Sequence, residues 1–156
     1  KMSSGFVIET ALGNIAMRFR ADAAPRTIDY YIKTIRTGVF SGTTFYRSDF
    51  VIQCGLHGVS GKSAPLGNLA VNETRENVFA SNSRGTAAVA HWDAPDCGNT
   101  EFFINLQANP HLDAAYGGYC VFAEVADDAS SAVVDEIATA IAGGRPTVAI
   151  SRMNLY

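Results

Sequence analysis

The chain has little of what marks a nucleic-acid-binding or membrane protein. Its 12 lysines and arginines are outnumbered by 15 aspartates and glutamates, which leaves a net charge of −3 and a pI near 5.5. Nucleic-acid binding relies on clustered positive charge, so this balance argues against a nucleic-acid partner. No apolar run approaches the roughly 18 residues that span a bilayer, and the first residues carry no secretory segment. We therefore expect neither a nucleic acid nor a membrane as a partner.

Cysteine is also scarce. Cys54, Cys97 and Cys120 are odd in number and far apart in the chain, so no disulfide framework is predicted. A reducing, cytoplasmic location is the corresponding expectation. Lys1 before Met2 resembles an expression remnant, so we expect the natural N-terminus to be missing. The predicted location therefore takes no account of any natural N-terminal segment.

Motifs for metal, nucleotide or hydrolytic chemistry are missing too. His57, His91, His111 and the cysteines stand at no zinc-ligand spacing, so neither a metal nor another cofactor is predicted. The stretch 58–63 has the composition of a phosphate-binding loop but lacks its spacing, and no helical pattern follows it. No serine lies in the glycine-flanked elbow of a hydrolase nucleophile.

What is present indicates a single β-rich domain. The 156 residues are 47% apolar, which suits one domain; we place it at residues 5–154, with residues 1–4 as a remnant or a disordered N-terminus, and expect a monomer. Helices are predicted from Pro25 to Gly38 and over 128–142, the second capped by Ser130 or Ser131. Residues 56–85, rich in Gly, Ser and Asn, are predicted to be loops. Strands are predicted at 5–10, 14–20, 86–90, 102–106, 119–125 and 147–153, with a turn at 12–14 and a hairpin over 44–55. Composition and periodicity alone leave a barrel and a sandwich open.

The hairpin contains an unexpected charge. Arg47 stands in a run of aromatic and β-branched residues, Thr44 to Gly55, which is typical of two half-buried strands joined at Ser48-Asp49. A guanidinium buried without a partner would cost several kcal/mol or more. Arg47 is therefore expected to face solvent, a carboxylate or a ligand, and the hairpin alone does not distinguish these.

Several segments together resemble the cyclophilins, a family of peptidyl-prolyl isomerases that bind cyclosporin. The resemblance runs from about residue 6 to about residue 152, and its strength lies in the order and spacing of the motifs. The segments that carry it are Phe45-Tyr46-Arg47, Phe50-Val51-Ile52-Gln53-Cys54-Gly55, Gly61-Lys62-Ser63, Asn72-Glu73, Arg84-Gly85-Thr86, Val89-Ala90, Glu101-Phe102-Phe103-Ile104, Leu112-Asp113 and Tyr119-Cys120-Val121-Phe122.

This resemblance implies a fold and a site. The fold would be an eight-stranded antiparallel closed barrel capped by two helices. Arg47 would be the catalytic residue, and Gln53 would hold the substrate backbone. Ala90 and His91 would contact the residues that precede the proline. The remaining substrate-binding positions would be Tyr46, Glu101, His111 and Tyr119, with the proline slot formed by Phe50, Val51, Phe103 and Leu112.

Five departures from the family pattern bear on activity. Tyr46 replaces histidine, and Val51 replaces methionine, which enlarges the slot. Glu101 replaces glutamine; it could pair with Arg47 and draw the guanidinium away, or help to orient it. His111 replaces the tryptophan associated with tight cyclosporin binding, so weakened cyclosporin affinity is predicted. The hairpin is shorter than usual by two residues, a change that preserves the alternate facing of side chains.

Two functions remain open from the sequence. The first is a peptidyl-prolyl cis-trans isomerase that acts on proline-containing peptides and proteins through Arg47. The second is a catalytically weak module of the same fold that binds proline segments as a scaffold or complex subunit. Trp92 is either an aromatic at the rim of the groove or a packing residue. Of Phe102 and Phe103, only one can line the groove, because neighbours on a strand face opposite sides.

Overall fold

Eight antiparallel strands close into a barrel in the computed structural model, which describes residues 3–156. The strands are β1 (Gly5–Thr10), β2 (Gly13–Phe19), β3 (Thr43–Ser48), β4 (Val51–Gly55), β5 (Thr86–Val89), β6 (Phe102–Asn105), β7 (Val121–Val125) and β8 (Val148–Leu155). Around the barrel their order is β1-β2-β7-β5-β6-β4-β3-β8. Two α-helices, α1 (Pro25–Arg36) and α2 (Asp128–Ala142), and two 3₁₀ turns, Pro110–Asp113 and Ala115–Gly117, complete the described chain. The barrel with two helices predicted from the resemblance is confirmed.

The interior of the barrel is an aromatic and aliphatic core that α1 helps to fill. Tyr31 of α1 stacks on Phe122 with ring centroids 4.5 Å apart and meets Phe102 edge-on at 5.7 Å. The stripe predicted for this helix, Ile28, Tyr31, Ile32 and Ile35, is buried throughout. Each such aromatic pair adds about 0.5–1.5 kcal/mol beyond the burial of its area.

The helix α2 begins differently from the prediction. Its cap is Asp127, whose side chain accepts a hydrogen bond from the Ser130 backbone N–H at 2.8 Å. The Ser130 hydroxyl instead accepts from the Ala16 backbone N–H at 2.8 Å and ties the helix to β2. The prediction of Ser130 or Ser131 as cap was therefore wrong, because the helix begins at Asp128, before either serine, and the carboxylate that precedes it caps the first turn.

The β1–β2 turn also lies earlier than predicted. Thr10 and Gly13 are the flanking pair of the ladder, so Ala11 and Leu12 form the loop. The Thr10 hydroxyl donates to the Gly13 carbonyl at 2.6 Å, and Gly13 has a φ of +130°. The prediction centred the turn two residues later, on Gly13, because glycine is the strongest turn signal there.

The long segment 56–85 is irregular, as predicted, and a buried carboxylate is one of the groups that hold it against α1; the Tyr30 hydroxyl, which donates to the Gly67 carbonyl at 2.6 Å, is another. Glu73 is 1% exposed. Its side chain accepts from the backbone N–H groups of Arg26 and Thr27 at 3.2 and 2.6 Å, and from the Thr27 hydroxyl at 2.8 Å. Two otherwise unpaired backbone donors in the first turn of α1 are thereby satisfied by a residue 47 and 46 positions away.

The first described residues are tied to the last residue of the chain and to the end of β2. Ser4 donates its backbone N–H to the Tyr156 carbonyl at 2.8 Å and accepts from the Phe19 backbone N–H at 2.9 Å. The interpretation of residues 1 and 2 as a remnant lies outside the described residues. Among the helices of residues 3–156, none combines the length and apolar character needed to cross a bilayer.

A second apolar cluster forms on the outer face of the barrel. The alternation of β4 and β6 sends Ile52, Phe102 and Ile104 inward and leaves Val51 and Phe103 outward. There they pack with Ala88, Leu112 and Val121. This outer cluster is the floor of a groove.

Candidate active site

The groove has a volume of about 560 Å³ and lies across the outer faces of β3 to β6. It brings together eleven of the twelve site residues predicted from the sequence: Tyr46, Arg47, Phe50, Val51, Gln53, Ala90, His91, Glu101, Phe103, Leu112 and Tyr119. His111 lies outside the lining. It is exposed, and its ring meets the Phe50 ring at 5.3 Å and 68°.

A bulge in β3 turns two consecutive side chains toward the groove. Phe45 pairs with Cys54 and Arg47 pairs with Gln53, so the register shifts at Tyr46. Phe45 is fully buried in the barrel core, whereas both Tyr46 and Arg47 line the groove. Strict alternation would have sent Arg47 to the same side as Phe45. The bulge thus gives Arg47 the outward direction expected from the family pattern.

Arg47 is held from three sides. Its Nε lies 2.8 Å from Asp49 Oδ2, and its Nη1 donates to Gln53 Oε1 at 2.8 Å. Its guanidinium carbon is 5.2 Å from the centroid of the Phe50 ring. The side chain remains 39% exposed. Because a guanidinium has five N–H groups, three are left to meet a ligand.

The shortened hairpin supplies the carboxylate beside Arg47. The Asp49 side chain accepts from the Val51 backbone N–H at 3.2 Å, while the Asp49 backbone N–H donates to the Val51 carbonyl at 3.0 Å. Of the three surroundings considered for Arg47, the structure therefore shows a carboxylate on one side and solvent on the other.

An apolar slot lies beside the guanidinium. Val51, Phe103 and Leu112 are 1%, 4% and 8% exposed, and Phe50 packs against them. Phe102 points into the barrel core, which confirms that only one residue of the Phe102–Phe103 pair lines the groove. The slot is therefore apolar on all the sides that these residues form.

Glu101 does not pair with Arg47. Its Oε1 accepts from the Tyr46 hydroxyl at 2.9 Å, and its Oε2 accepts from the Leu56 backbone N–H at 2.8 Å. The Tyr46 oxygen in turn accepts from Gln53 Nε2 at 2.9 Å. Burial, together with the charge of Glu101, raises the pKa of Tyr46 well above its ordinary value, so this phenol is a proton donor at neutral pH.

The other end of the groove is built from two stacked rings. His91 and Tyr119 lie 4.1 Å apart at 11°, and the His91 ring nitrogens are 2.8 Å from the Gly118 carbonyl oxygen and 2.7 Å from that of Trp92. Trp92 is 80% exposed at this rim. Of the two roles left open for it, the structure shows the rim aromatic.

Residues 6–154 match the family model described as cyclophilin type peptidyl-prolyl cis-trans isomerase. The chain belongs to this family. It is 35% identical over 140 residues to peptidyl-prolyl cis-trans isomerase B of Escherichia coli, covering 85% of this chain and 82% of that protein. It is 30% identical over 164 residues to peptidyl-prolyl cis-trans isomerase CYP23 of Arabidopsis thaliana, covering 99% and 71%.

Solved cyclophilin structures share the fold. A cyclophilin type peptidyl-prolyl cis-trans isomerase from Cryptosporidium parvum superimposes with a TM-score of 0.81 at 18% identity, covering 99% of this chain and 98% of the other. A second structure of that protein, described as determined in the presence of the dipeptide Ala-Pro, gives the same score at 19% identity and covers 97% and 98%. The resemblance predicted from the motifs is therefore confirmed.

Part of the cyclophilin groove was not predicted from the sequence. Beyond Glu101 the lining continues through Leu56, His57, Ala64, Cys97, Asn99 and Thr100. These residues lie in irregular segments, where no periodicity indicates which side chain faces inward. Asp49 was also missed as a partner of Arg47, although an acid two residues after an arginine in a tight turn is a readable signal.

Within residues 3–156 no group of three or more histidine, cysteine, aspartate or glutamate side chains could hold a metal ion. Cys54 and Cys120 are buried, and burial raises the pKa of both thiols. Cys97 is partly exposed and its Sγ lies 3.1 Å from the Ala94 carbonyl oxygen.

Proposed function

We propose that this chain catalyses rotation about X-Pro peptide bonds, with Arg47 donating a hydrogen bond to the prolyl nitrogen. The observation that carries this proposal is that the Arg47 guanidinium, with N–H groups not engaged by Asp49 or Gln53, lies next to an apolar slot. Peptide rotation has a barrier of about 18–20 kcal/mol because the nitrogen lone pair is delocalised into the carbonyl. A twisted bond returns that lone pair to the nitrogen, where a donor can bind it.

Such a donor accelerates rotation because it binds the twisted amide better than either planar isomer. No nucleophile, metal or cofactor is required for this chemistry. Arginine suits the role since its charge persists at every physiological pH and its donors are fixed in a plane. A reduction of the barrier by about 7 kcal/mol corresponds to about five decades of rate.

The rest of the groove would place the substrate. Val51, Phe103 and Leu112 would receive the proline ring. Gln53 donates one N–H to Tyr46 and accepts from Arg47, which leaves a second N–H and a second lone pair for the substrate backbone. Ala90 and His91 would contact the residues that precede the proline. The partners proposed are accordingly proline-containing peptides and proteins.

One observation favours the alternative, a proline-segment binding module with weak catalysis. Asp49 engages the Arg47 Nε at 2.8 Å, and this carboxylate offsets part of the charge that the twisted amide would meet. A module of this kind would bind the same peptides in the same slot without accelerating their isomerisation.

Exchange spectroscopy by NMR on an Ala-Pro test peptide separates the two functions. We expect the native protein at micromolar concentration to accelerate cis/trans exchange, and Arg47→Ala to lose nearly all of the acceleration while still binding peptide. Arg152→Ala is the matched control, because Arg152 makes the same Nε–carboxylate contact at 2.8 Å with Glu9 but lies outside the groove. Peptide binding without acceleration by the native protein would instead establish the binding module.

Cyclosporin is proposed to bind weakly. His111 is exposed and its ring is inclined at 68° to the Phe50 ring, and an imidazole provides neither the area nor the indole N–H of the tryptophan found in strongly binding cyclophilins. Titration calorimetry should give a dissociation constant above the low-micromolar range, and His111→Trp should tighten binding. A low-micromolar or tighter constant for the native protein would contradict this expectation.

A further inference from the structure

We propose that Glu101 is a positioning residue for Arg47 and acts on it through Tyr46 and Gln53. This inference rests on the proposed function, since it concerns the same guanidinium. Glu101 is separated from Arg47 by two intervening side chains and three hydrogen bonds. Together these four side chains form what we call the Glu101 relay.

The relay is continuous and its members are close to one another. Arg47 Nη1 donates to Gln53 Oε1 at 2.8 Å, Gln53 Nε2 donates to the Tyr46 oxygen at 2.9 Å, and the Tyr46 hydroxyl donates to Glu101 Oε1 at 2.9 Å. These are short bonds of ordinary geometry, and the two that end on charged groups are charge-assisted.

Only one arrangement of hydrogens satisfies the relay. A guanidinium can only donate, so the Gln53 amide must present its oxygen to Arg47 and its NH₂ group to Tyr46. The Tyr46 oxygen then accepts, so its single hydrogen points to Glu101, and an ionised carboxylate accepts it. Every bond therefore donates in one direction, from the cation at one end to the anion at the other, and neighbouring bonds polarise one another.

Glu101 is held so firmly that it is unsuited to contact substrate itself. Besides Tyr46, its carboxylate accepts from the backbone N–H groups of Leu56 and His57 at 2.8 and 3.3 Å and from the Thr100 hydroxyl at 3.1 Å. Four donors occupy the roughly four acceptor sites of a carboxylate. The charge at position 101 therefore serves the relay and the adjoining loop.

The chain also leaves room for this carboxylate in a way that only glycine permits. A Cβ placed on Gly55 would lie 2.2 Å from the Glu101 carboxyl carbon, and Gly55 has a φ of +148°. Gly55 lies at the end of β4, in the same strand as Gln53. β4 thus carries both Gln53, a member of the relay, and Gly55, which leaves space for the Glu101 carboxylate.

A neutral amide at position 101 would break the direction of the relay. A glutamine that turned its oxygen to Tyr46 would set its NH₂ group in place of Oε2, against the Leu56 N–H and the Thr100 hydroxyl that now donate there. In the opposite orientation its NH₂ group would face the Tyr46 hydroxyl, whose hydrogen would have to turn away. Glu101→Gln is nevertheless a mild change of shape, which makes it a suitable probe.

The test is a double-mutant cycle on Glu101→Gln and Tyr46→Phe, with Glu136→Gln on the exposed face of α2 as the matched control. We expect each single variant to lower kcat for the Ala-Pro peptide about fivefold to twentyfold with KM within about twofold, because displacement of a catalytic group by about 1 Å can cost a hundredfold. The double variant should be no more than about twofold below the poorer single variant, since both break one relay. Glu136→Gln should match the native protein.

A second readout does not depend on activity. The bond from Arg47 Nη1 to Gln53 should loosen in both single variants. The Arg47 Nη–H groups should then exchange with solvent several-fold faster than in the native protein, as measured by ¹⁵N NMR, while thermal unfolding confirms that each variant is folded. Activity near native in Glu101→Gln, or multiplicative losses in the double variant with unchanged Arg47 exchange, would overturn the relay. If the native protein proves inactive, the proposed function fails, but Arg47 exchange still decides whether Glu101 positions the guanidinium.

Discussion

Asp49 and Gln53 both accept hydrogen bonds from the Arg47 guanidinium, and they act on it in different ways. Gln53 is neutral and fixes direction, whereas Asp49 contributes both direction and an opposing charge. Orientation of the Arg47 guanidinium favours catalysis, whereas neutralisation of its charge favours binding without catalysis. We expect the balance of these two effects to decide which of the two proposed functions the groove performs.

Asp49→Asn tests that balance. The amide oxygen can still accept from the Val51 N–H, so the turn is retained while the charged partner of Arg47 is lost. We expect kcat/KM for an X-Pro peptide to fall about threefold to tenfold, because a loosened guanidinium loses alignment. Protease-free NMR exchange assays measure this. An increase would show that Asp49 restrains catalysis, in agreement with the binding-module alternative.

Gly55 is the second residue on which the site depends. For Gly55→Ala we expect a loss of about 2–4 kcal/mol in the free energy of unfolding, since the new methyl group meets the Glu101 carboxylate and the backbone conformation disfavours a side chain. Urea denaturation measures the loss. Gly42→Ala is the control, because Gly42 has a φ of +82° but open space around it. Equal losses in both variants would show that the Glu101 contact contributes nothing.

At the scale of elements, periodic segments were predictable and irregular ones were not. The buried stripe of α1 repeats at helical spacing, and the facing of Phe102 and Phe103 follows from strand alternation, so both were predicted correctly. The bulge at Tyr46 leaves no trace in that alternation, because it depends on pairing with a strand several residues away. The Asp127 cap was missed for a simpler reason: four polar residues within 127–131 are all of capping type, and only the backbone geometry selects one of them.

The loop 56–85 depends on its tie to α1. Glu73→Gln should lower the free energy of unfolding by about 2–4 kcal/mol, because a buried carboxylate that accepts from four donors is replaced by an amide that must turn N–H groups toward some of them. Glu76→Gln is the matched control: Glu76 is exposed and pairs only loosely, at 3.6 Å, with Arg26. Losses of similar size in both variants would contradict a special role for Glu73.

On the scale of the whole molecule, the sheet buries both of its faces where β5 and β6 run. All residues of these two strands are buried. The inner face meets the barrel core, and the outer face is covered by Val51 and Leu112 at Phe103. At the outward Thr86 and Asn105 a hydrogen-bond network with Asn82 takes the place of apolar packing. The closed barrel itself could be predicted only through the family resemblance. Periodicity reports which residues are apolar, whereas closure depends on the pairing of β3 with β8, which lie about a hundred residues apart.

The stability of the whole fold should depend on pH through Asp113. Burial acts to raise the pKa of Asp113, but hydrogen bonds from Ser81 and Asn82 outweigh it, so the pKa lies below its ordinary value. A lowered pKa stabilises the folded state above the ordinary aspartate value, about 3.9, and this contribution is lost as pH falls through the folded value. Asp113→Asn should therefore destabilise the protein at pH 7, by about 1–3 kcal/mol, and by less at pH 3, which lies below the ordinary aspartate value.

Urea denaturation at the two pH values measures this difference. Asp93→Asn is the control, because Asp93 is an exposed acid in the loop at the groove rim. A loss for Asp113→Asn that stays the same between pH 7 and pH 3 would show that the ionised carboxylate is not what joins the 79–83 loop to the 3₁₀ turn at Pro110–Asp113.

The fluorescence of the exposed indole at the groove rim should report whether a peptide occupies the groove. Trp92 is the single tryptophan of the chain and is 80% exposed beside the slot. A peptide that covers the rim would move this fluorophore into a drier environment and shift its emission to shorter wavelength. Unfolding would change its surroundings little, since it already faces water. Emission therefore reports occupancy of the groove, and loss of the barrel is better followed by circular dichroism.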